Sequence, residues 1–165
     1  MIKRATVEVI VKLFEIVFEY VYAASGSVAD NQVTISRQLE ESGFSKELII
    51  GAFDWFKGLI EQQIWYASSS DNSRVSIGNT FRIFDKGEQL RLGIEVRNFL
   101  IDLEKMKILD TNMREIVIHQ LIQLDNHLVS LEDAKWVVFL VLLSKFNANF
   151  DNVKNYLMRM LVFSS

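Results

Sequence analysis

Apolar residues recur at helical spacing along most of the chain, and the clearest example lies in residues 46–62. Apolar positions that fall three or four residues apart form one face of an amphipathic helix. Those of this segment are Leu48, Ile49, Ala52, Phe53, Phe56, Leu59 and Ile60. Comparable patterns predict further helices over about 2–24, 34–42, 85–107, 111–124 and 151–162.

The N-terminal segment combines a nearly continuous apolar sequence with a single charged stripe. Glu8, Lys12, Glu15 and Glu19 follow one another at spacings of four, three and four residues. This spacing places them on one side of a helix, with an i,i+4 pair between Glu8 and Lys12. The charges also exclude a signal peptide, whose apolar core does not contain them. We therefore expect either the central helix of a bundle or a helix in an oligomer interface.

The hydrophobic period changes after residue 63. The segments 64–67, 74–77 and 80–84 are short, aromatic or alternating, and a polar loop at 68–73 separates the first two. Such segments predict a small β-hairpin, with Trp65 at its edge. A helix–turn–helix followed by a hairpin is the order of a winged-helix domain. The predicted fold is therefore mainly α, with a winged-helix-like half at 1–84 and an all-helical half at 85–165.

Several residues mark the predicted helix ends. Gly43 is suited to follow a helix, because glycine accepts positive φ. Ser45 is a good N-cap for the third helix, and Asp85 with Glu88 forms an Asp variant of the capping box. The turn between the second and third helices is therefore expected to be very short.

The segment 124–142, LDNHLVSLEDAKWVVFLVL, places His127 among carboxylates and before an apolar stretch. Asp125, His127, Glu132 and Asp133 are legitimate metal ligands, but no paired histidines or second cluster complete a coordination shell. The alternative is that Ser130 caps a helix whose first turn favours acidic residues. We favour this alternative. Residues 136–144 are too short to span a membrane, which needs about 20 apolar residues.

The predicted C-terminal helical bundle has an apolar core. Its expected core residues are Phe99, Leu103, Val117, Leu121, Trp136, Phe139, Leu140, Leu143 and Leu157.

The amino-acid composition excludes several types of functional site. The 165 residues contain no cysteine, which excludes disulfides, thiol nucleophiles and thiolate metal sites. Proline is also absent, which favours long unbroken helices. No nucleophile motif or glycine-rich phosphate loop occurs. We therefore predict neither enzymatic activity nor a cofactor.

Nucleic-acid binding is the competing class, because it would use the predicted helix–turn–helix. The net charge is −3, and no basic segment occurs. The expected recognition helix carries Lys46, Glu47, Asp54 and Lys57, which together are neutral. A groove-reading helix usually offers Arg, Asn or Gln to the bases, so protein contact is favoured over nucleic acid.

The C-terminal half resembles the bacterial Smg family. Arg114-Glu115-Ile116-Val117-Ile118, Leu124-Asp125-Asn126 and Asp133-Ala134-Lys135-Trp136-Val137 match its signature, with Ala134 in place of leucine. The N-terminal half is similar more loosely, around Leu39-Glu40 and Ser42-Gly43-Phe44. The resemblance implies a small bacterial cytoplasmic protein and implies no established enzymatic activity.

Taken together, these observations predict a non-enzymatic regulatory or adaptor protein, with a winged-helix nucleic-acid-binding regulator as the alternative. Its partner is expected to be a protein, without membrane association, and an oligomer could form through the N-terminal helix. The candidate partner-binding residues are Glu8, Glu15 and Glu19 on the charged stripe and Trp65 at the hairpin.

Overall fold

Seven helices make up the architecture over the residues that the computed structural model describes, which are 6–23, 28–69, 82–124 and 128–146. Their bounds, in chain order, are α1 Val7–Ala23, α2 Val28–Glu41, α3 Lys46–Ser69, α4 Lys86–Arg91, α5 Ile94–Lys105, α6 Thr111–Ile122 and α7 Leu131–Phe146. The predicted last helix at 151–162 lies outside the described residues.

Helix α1 is a central helix of the bundle. It packs against α2, α3 and α7. Its buried side chains belong to the main hydrophobic core, and Val9, Leu13 and Val17 are fully inaccessible to solvent. The charged stripe predicted on this helix faces the opposite way, with Glu8 and Glu15 exposed. The pattern of apolar positions thus correctly predicted which face of α1 is buried.

The turn between α2 and α3 follows the prediction. Gly43 has φ +96°, and the amides of Gly43 and Phe44 donate to the carbonyls of Glu40 and Leu39. These bonds satisfy carbonyls that a helix end otherwise leaves unpaired. Ser45 Oγ then accepts from the amide of Leu48 at 3.3 Å, which caps α3.

The predicted winged-helix fold is wrong. Residues 64–67, expected to be the first strand of the hairpin, are helical, because α3 continues to Ser69. Residues 82–85 are not a strand either, and the remaining hairpin residues lie outside the described ranges. The physical reason is tertiary: Gln63 and Tyr66 in this part of α3 line a cavity shared with α6 and α7. Tyr66 also packs against the hydrophobic core, and this packing outweighs the strand propensity of Ile64, Trp65 and Tyr66.

The single helix predicted over 85–107 is divided in two. Asp85 forms the predicted capping box with Glu88, but α4 ends at Arg91. Leu92 is extended and fully buried, and it forms a parallel bridge with Val129 in which the Val129 amide donates to the Arg91 carbonyl at 2.9 Å. Helix α5 then begins after Gly93. The burial of Leu92 beside Val129 therefore interrupts the helix between α4 and α5. The helical periodicity of the sequence does not indicate this interruption.

Helices α6 and α7 pack on each other, and α6 also packs on α3. A reciprocal pair of hydrogen bonds joins α3 to α6: Trp55 Nε1 donates to the Gln120 carbonyl at 3.0 Å, and Gln120 Nε2 donates to the Trp55 carbonyl at 2.9 Å. Both residues are buried, so these bonds fix the register of the two helices.

Helix α7 begins as predicted, with Ser130 Oγ accepting from the Asp133 amide at 3.0 Å. Two of its expected core residues are wrongly predicted. Trp136 is 40% exposed and Phe139 is 50% exposed, although Val137, Leu140 and Val141 of the same helix are buried. A helix that is apolar nearly all round gives no sequence signal for which face turns outward.

Candidate functional site

Trp65 lies in the last turns of α3 rather than at a hairpin edge. Its side chain is 56% exposed, and the adjacent Ile64 is 47% exposed. The indole meets the ring of Tyr66 edge-to-face, with centroids 4.7 Å apart. Trp65 therefore presents a large aromatic surface to solvent, and the contact with Tyr66 restrains the orientation of its ring.

The charged stripe on α1 presents carboxylates to solvent, as the spacing predicted. Lys12 pairs with Glu15 at 3.4 Å, three residues on, instead of with Glu8 as expected. Both members of that pair are well exposed, so it contributes little to stability. The side chain of Glu19 lies outside the described part of the structure, although its backbone belongs to α1. The structure therefore places Glu8 and Glu15 on one exposed surface, far along the sequence from Trp65.

A second aromatic surface lies on α7. The rings of Trp136 and Phe139 meet edge-to-face with centroids 6.0 Å apart, and Glu132 and Lys135 complete a shallow groove beside them. Sequence reasoning missed this surface because it assigned both aromatic residues to the core.

Arg82 forms the centre of a partly buried ion network between the start of α4 and α6. Its guanidinium bonds to Glu88 at 2.5 and 2.7 Å and to Glu115 at 3.0 and 3.1 Å. The hydrogen bond from Arg82 is the main cause that lowers the pKa of Glu88 below its ordinary value. Arg82 also lies 4.9 Å from the centroid of the Phe84 ring. The network thus holds residues 82–88 against α6.

Glu115 extends this network to a second arginine. Arg114 bonds to Glu115 at 2.8 and 3.0 Å and to both carboxylate oxygens of Glu104 at 2.6 Å. Burial raises the pKa of Glu115, but the hydrogen bonds from Arg82 and Arg114 outweigh it, and the pKa lies below its ordinary value. Arg114 and Glu115 carried the family resemblance, yet nothing in the sequence indicated their partners. All of these groups are satisfied by one another, which is typical of a structural network.

A cavity of about 360 Å³ opens between the end of α3, the start of α6 and the end of α7. Its apolar walls include Ala67, Met113, Ile116 and Val141. The polar residues that line it are Gln63, Tyr66, Asn112, Ser144 and Lys145. Sequence reasoning did not find this cavity, because its walls come from three separate helices.

No group of three or more His, Asp or Glu side chains within the described ranges is arranged to hold a metal ion. Asp125 and His127, from the metal alternative, lie outside those ranges, while Asp133 belongs to the capped first turn of α7. His119 is exposed on α6. None of the helices in the described part of the chain combines the length and the hydrophobicity that a membrane span requires.

Comparison with known proteins decides the family. A family model described as a protein of unknown function (DUF494) matches residues 6–162. Curated relatives named Protein Smg homolog are similar over most of their length. The one from Shewanella piezotolerans is 35% identical over 86% of this chain and 83% of its own, and the one from Halorhodospira halophila is 32% identical over 87% and 85%. The chain belongs to the Smg family.

The resemblance seen in the sequence is therefore confirmed. A further Smg relative, from Methylobacillus flagellatus, is 33% identical over 86% of this chain and 87% of its own. The biochemical function of the Smg family is not characterised, as the description of the family model states. No solved structure matches the chain, so the fold rests on the helices described above.

Proposed function

We propose that this Smg protein is a non-enzymatic regulatory or adaptor protein of the cytoplasm, which acts by binding another protein. The observation that supports the proposal is the exposure of Trp65, 56% open to solvent beside the exposed Ile64. Leaving two adjacent large apolar side chains in water costs free energy that a protein interface would recover. Tryptophan is also enriched among the residues that dominate binding energy.

The exposed carboxylates of α1 are proposed as a second contact. Glu8 and Glu15 project from a helix whose opposite face is buried in the core, so a partner would meet acidic groups there. Exposed charges of this kind chiefly raise the rate of association and select a partner of opposite charge. Glu19 follows the same spacing along α1 and is included in this proposal.

The experiment is a quantitative affinity capture from cells that encode the protein, with and without nuclease. The baits are the wild type, Trp65→Ala, and the double variant Glu8→Lys with Glu15→Lys. Trp136→Ala is the matched control, because it removes a second exposed tryptophan from a different helix. We expect a nuclease-resistant protein to be lost with Trp65→Ala, weakened by the double variant and kept by Trp136→Ala, at an unchanged melting temperature.

Two results would contradict the proposal. If all the variants recover the same partner in equal amounts, neither Trp65 nor the acidic stripe is the contact. If every captured protein disappears on nuclease treatment, the association depends on nucleic acid. Steep weakening of binding as salt rises would identify phosphate contacts in that case.

A further inference from the structure

The cavity between α3, α6 and α7 has the size of a small-molecule site. Its volume of about 360 Å³ lies at the lower end of the range of roughly 300–1,000 Å³ that ligand pockets occupy. At about 30 Å³ for each water molecule, this volume corresponds to roughly a dozen waters. Apolar walls with a few polar groups are also the usual composition of such a site.

The polar groups at the wall define what kind of ligand fits. The Gln63 carboxamide donates to Ser144 Oγ, and Ser144 in turn donates to the Val141 carbonyl at 2.7 Å. Ser144 is buried. Because its hydroxyl proton is already used in the bond to the Val141 carbonyl, Ser144 does not donate to a ligand. The Gln63 carboxamide still has its carbonyl oxygen and a second N–H. These two groups complement a ligand that offers one donor and one acceptor side by side, as an amide does.

The charge at the rim argues against an anionic ligand. Lys145 is the one charged residue among the nine described residues that line the cavity. Its ammonium group is bound to the Asp110 carboxylate, and it also lies 3.3 Å from Met113 Sδ. Burial raises the pKa of Asp110, but Lys145 and the amides at the start of α6 lower it more, so Asp110 stays ionised. A ligand carboxylate would have to approach this existing carboxylate and lose its own hydration.

We infer that this cavity is a binding site for a small, neutral, largely apolar molecule that carries an amide-like donor–acceptor group. The apolar part packs on Met113, Ile116 and Val141, and the amide group pairs with the carboxamide of Gln63. The inference is independent of the proposed adaptor function, because it uses neither Trp65 nor the acidic stripe.

The test is a titration of the full-length protein with 3-phenylpropanamide, followed by NMR of the methyl groups of Met113, Ile116 and Val141. The carboxylate 3-phenylpropanoate has the same shape and is titrated in parallel. We expect the three methyl signals to shift saturably with the amide. The carboxylate should bind about tenfold more weakly, because of its desolvation and the nearby Asp110.

Two variants locate the site. Gln63→Met removes the carboxamide at similar length and should weaken binding of the amide by about fivefold or more, because both hydrogen bonds between the ligand and the carboxamide are lost. Gln62→Met is the matched control: it makes the same change on the neighbouring residue of α3, outside the cavity lining, and should leave the affinity unchanged. Ala67→Phe places a ring at the exposed mouth and should abolish binding of both compounds.

Three results would overturn the inference. The methyl signals could stay unmoved up to the solubility limit of the amide, or the carboxylate could bind more tightly than the amide. Equal affinities for Gln63→Met and Gln62→Met would show that the ligand does not use Gln63. Far-UV circular dichroism of each variant establishes that it is folded, so that lost binding reports the site.

Discussion

The ion network around Glu115 predicts a measurable loss of stability when its central carboxylate is neutralised. In Glu115→Gln the shape is kept, but the charge that joins Arg82 to Arg114 is removed. The wild-type carboxylate receives two hydrogen bonds from Arg82, at 3.0 and 3.1 Å, and two from Arg114, at 2.8 and 3.0 Å. The glutamine side chain can accept hydrogen bonds at only one oxygen. Its NH₂ group takes the place of the other oxygen and faces the N–H donors of an arginine, with which it cannot form a hydrogen bond.

The magnitude follows from the position of Glu115 between surface and interior. Breaking a fully buried ion pair costs roughly 3–5 kcal/mol, whereas an exposed pair contributes roughly 0–1 kcal/mol. The Glu115 side chain is 28% exposed and that of Arg114 only 9%. We therefore expect a loss of about 2 kcal/mol in the free energy of unfolding. For a protein of this size, that lowers the melting temperature by roughly 4–8 °C.

The assay is urea unfolding at neutral pH, followed by far-UV circular dichroism. Glu61→Gln is the control, since Glu61 is an exposed residue of α3 outside the network, and it should stay within about 0.5 kcal/mol of the wild type. A double-mutant cycle with Arg82→Met should give a coupling of about 1 kcal/mol or more. If Glu115→Gln changes stability no more than Glu61→Gln does, the network does not hold residues 82–88 against α6.

Other predictions concern acid and two glycines. The pKa values of Glu88 and Glu115 lie below their ordinary value of 4.5, so the stability they contribute is present above about pH 4.5 and is lost as pH falls through the folded-state values. Acid unfolding of Glu115→Gln should therefore depend less on pH than that of the wild type. Gly58→Ala should stabilise by about 0.5–1 kcal/mol, because the added Cβ meets Gln120 Oε1 at an ordinary 3.5 Å within a helix; measured destabilisation would contradict this. Gly43→Ala should destabilise by roughly 1–2 kcal/mol, because its φ is +96°, and an unchanged urea midpoint would refute it.

Local signals in the sequence predicted the helix ends well. Gly43, Ser45, Asp85 and Ser130 act where they were expected, because a cap depends on residues only a few positions apart. The buried face of α1 was equally predictable, since charges on one stripe leave only the other side for the core. These features need no knowledge of distant parts of the chain.

Features that depend on distant residues were not predictable in this way. Residues 64–67 have strand-like composition, but α3 continues through them beside α6 and α7. Leu92 interrupts a helical pattern because Val129, far along the chain, pairs with it. Arg82, Glu115 and Glu104 come from three separated segments, so their network is invisible to spacing. The cavity proposed as a ligand site has the same origin.

The proposed binding surface around Trp65 is tested most simply by photo-cross-linking in living cells. Benzoyl-phenylalanine is placed at the exposed position 68, one turn of α3 beyond Trp65, so that the tryptophan itself is kept, and the control is the exposed position 57 of the same helix. If this Smg protein binds another protein through Trp65, position 68 gives a discrete, nuclease-resistant protein adduct and position 57 gives none. Absence of an adduct at position 68, or an adduct that nuclease removes, would contradict the proposal.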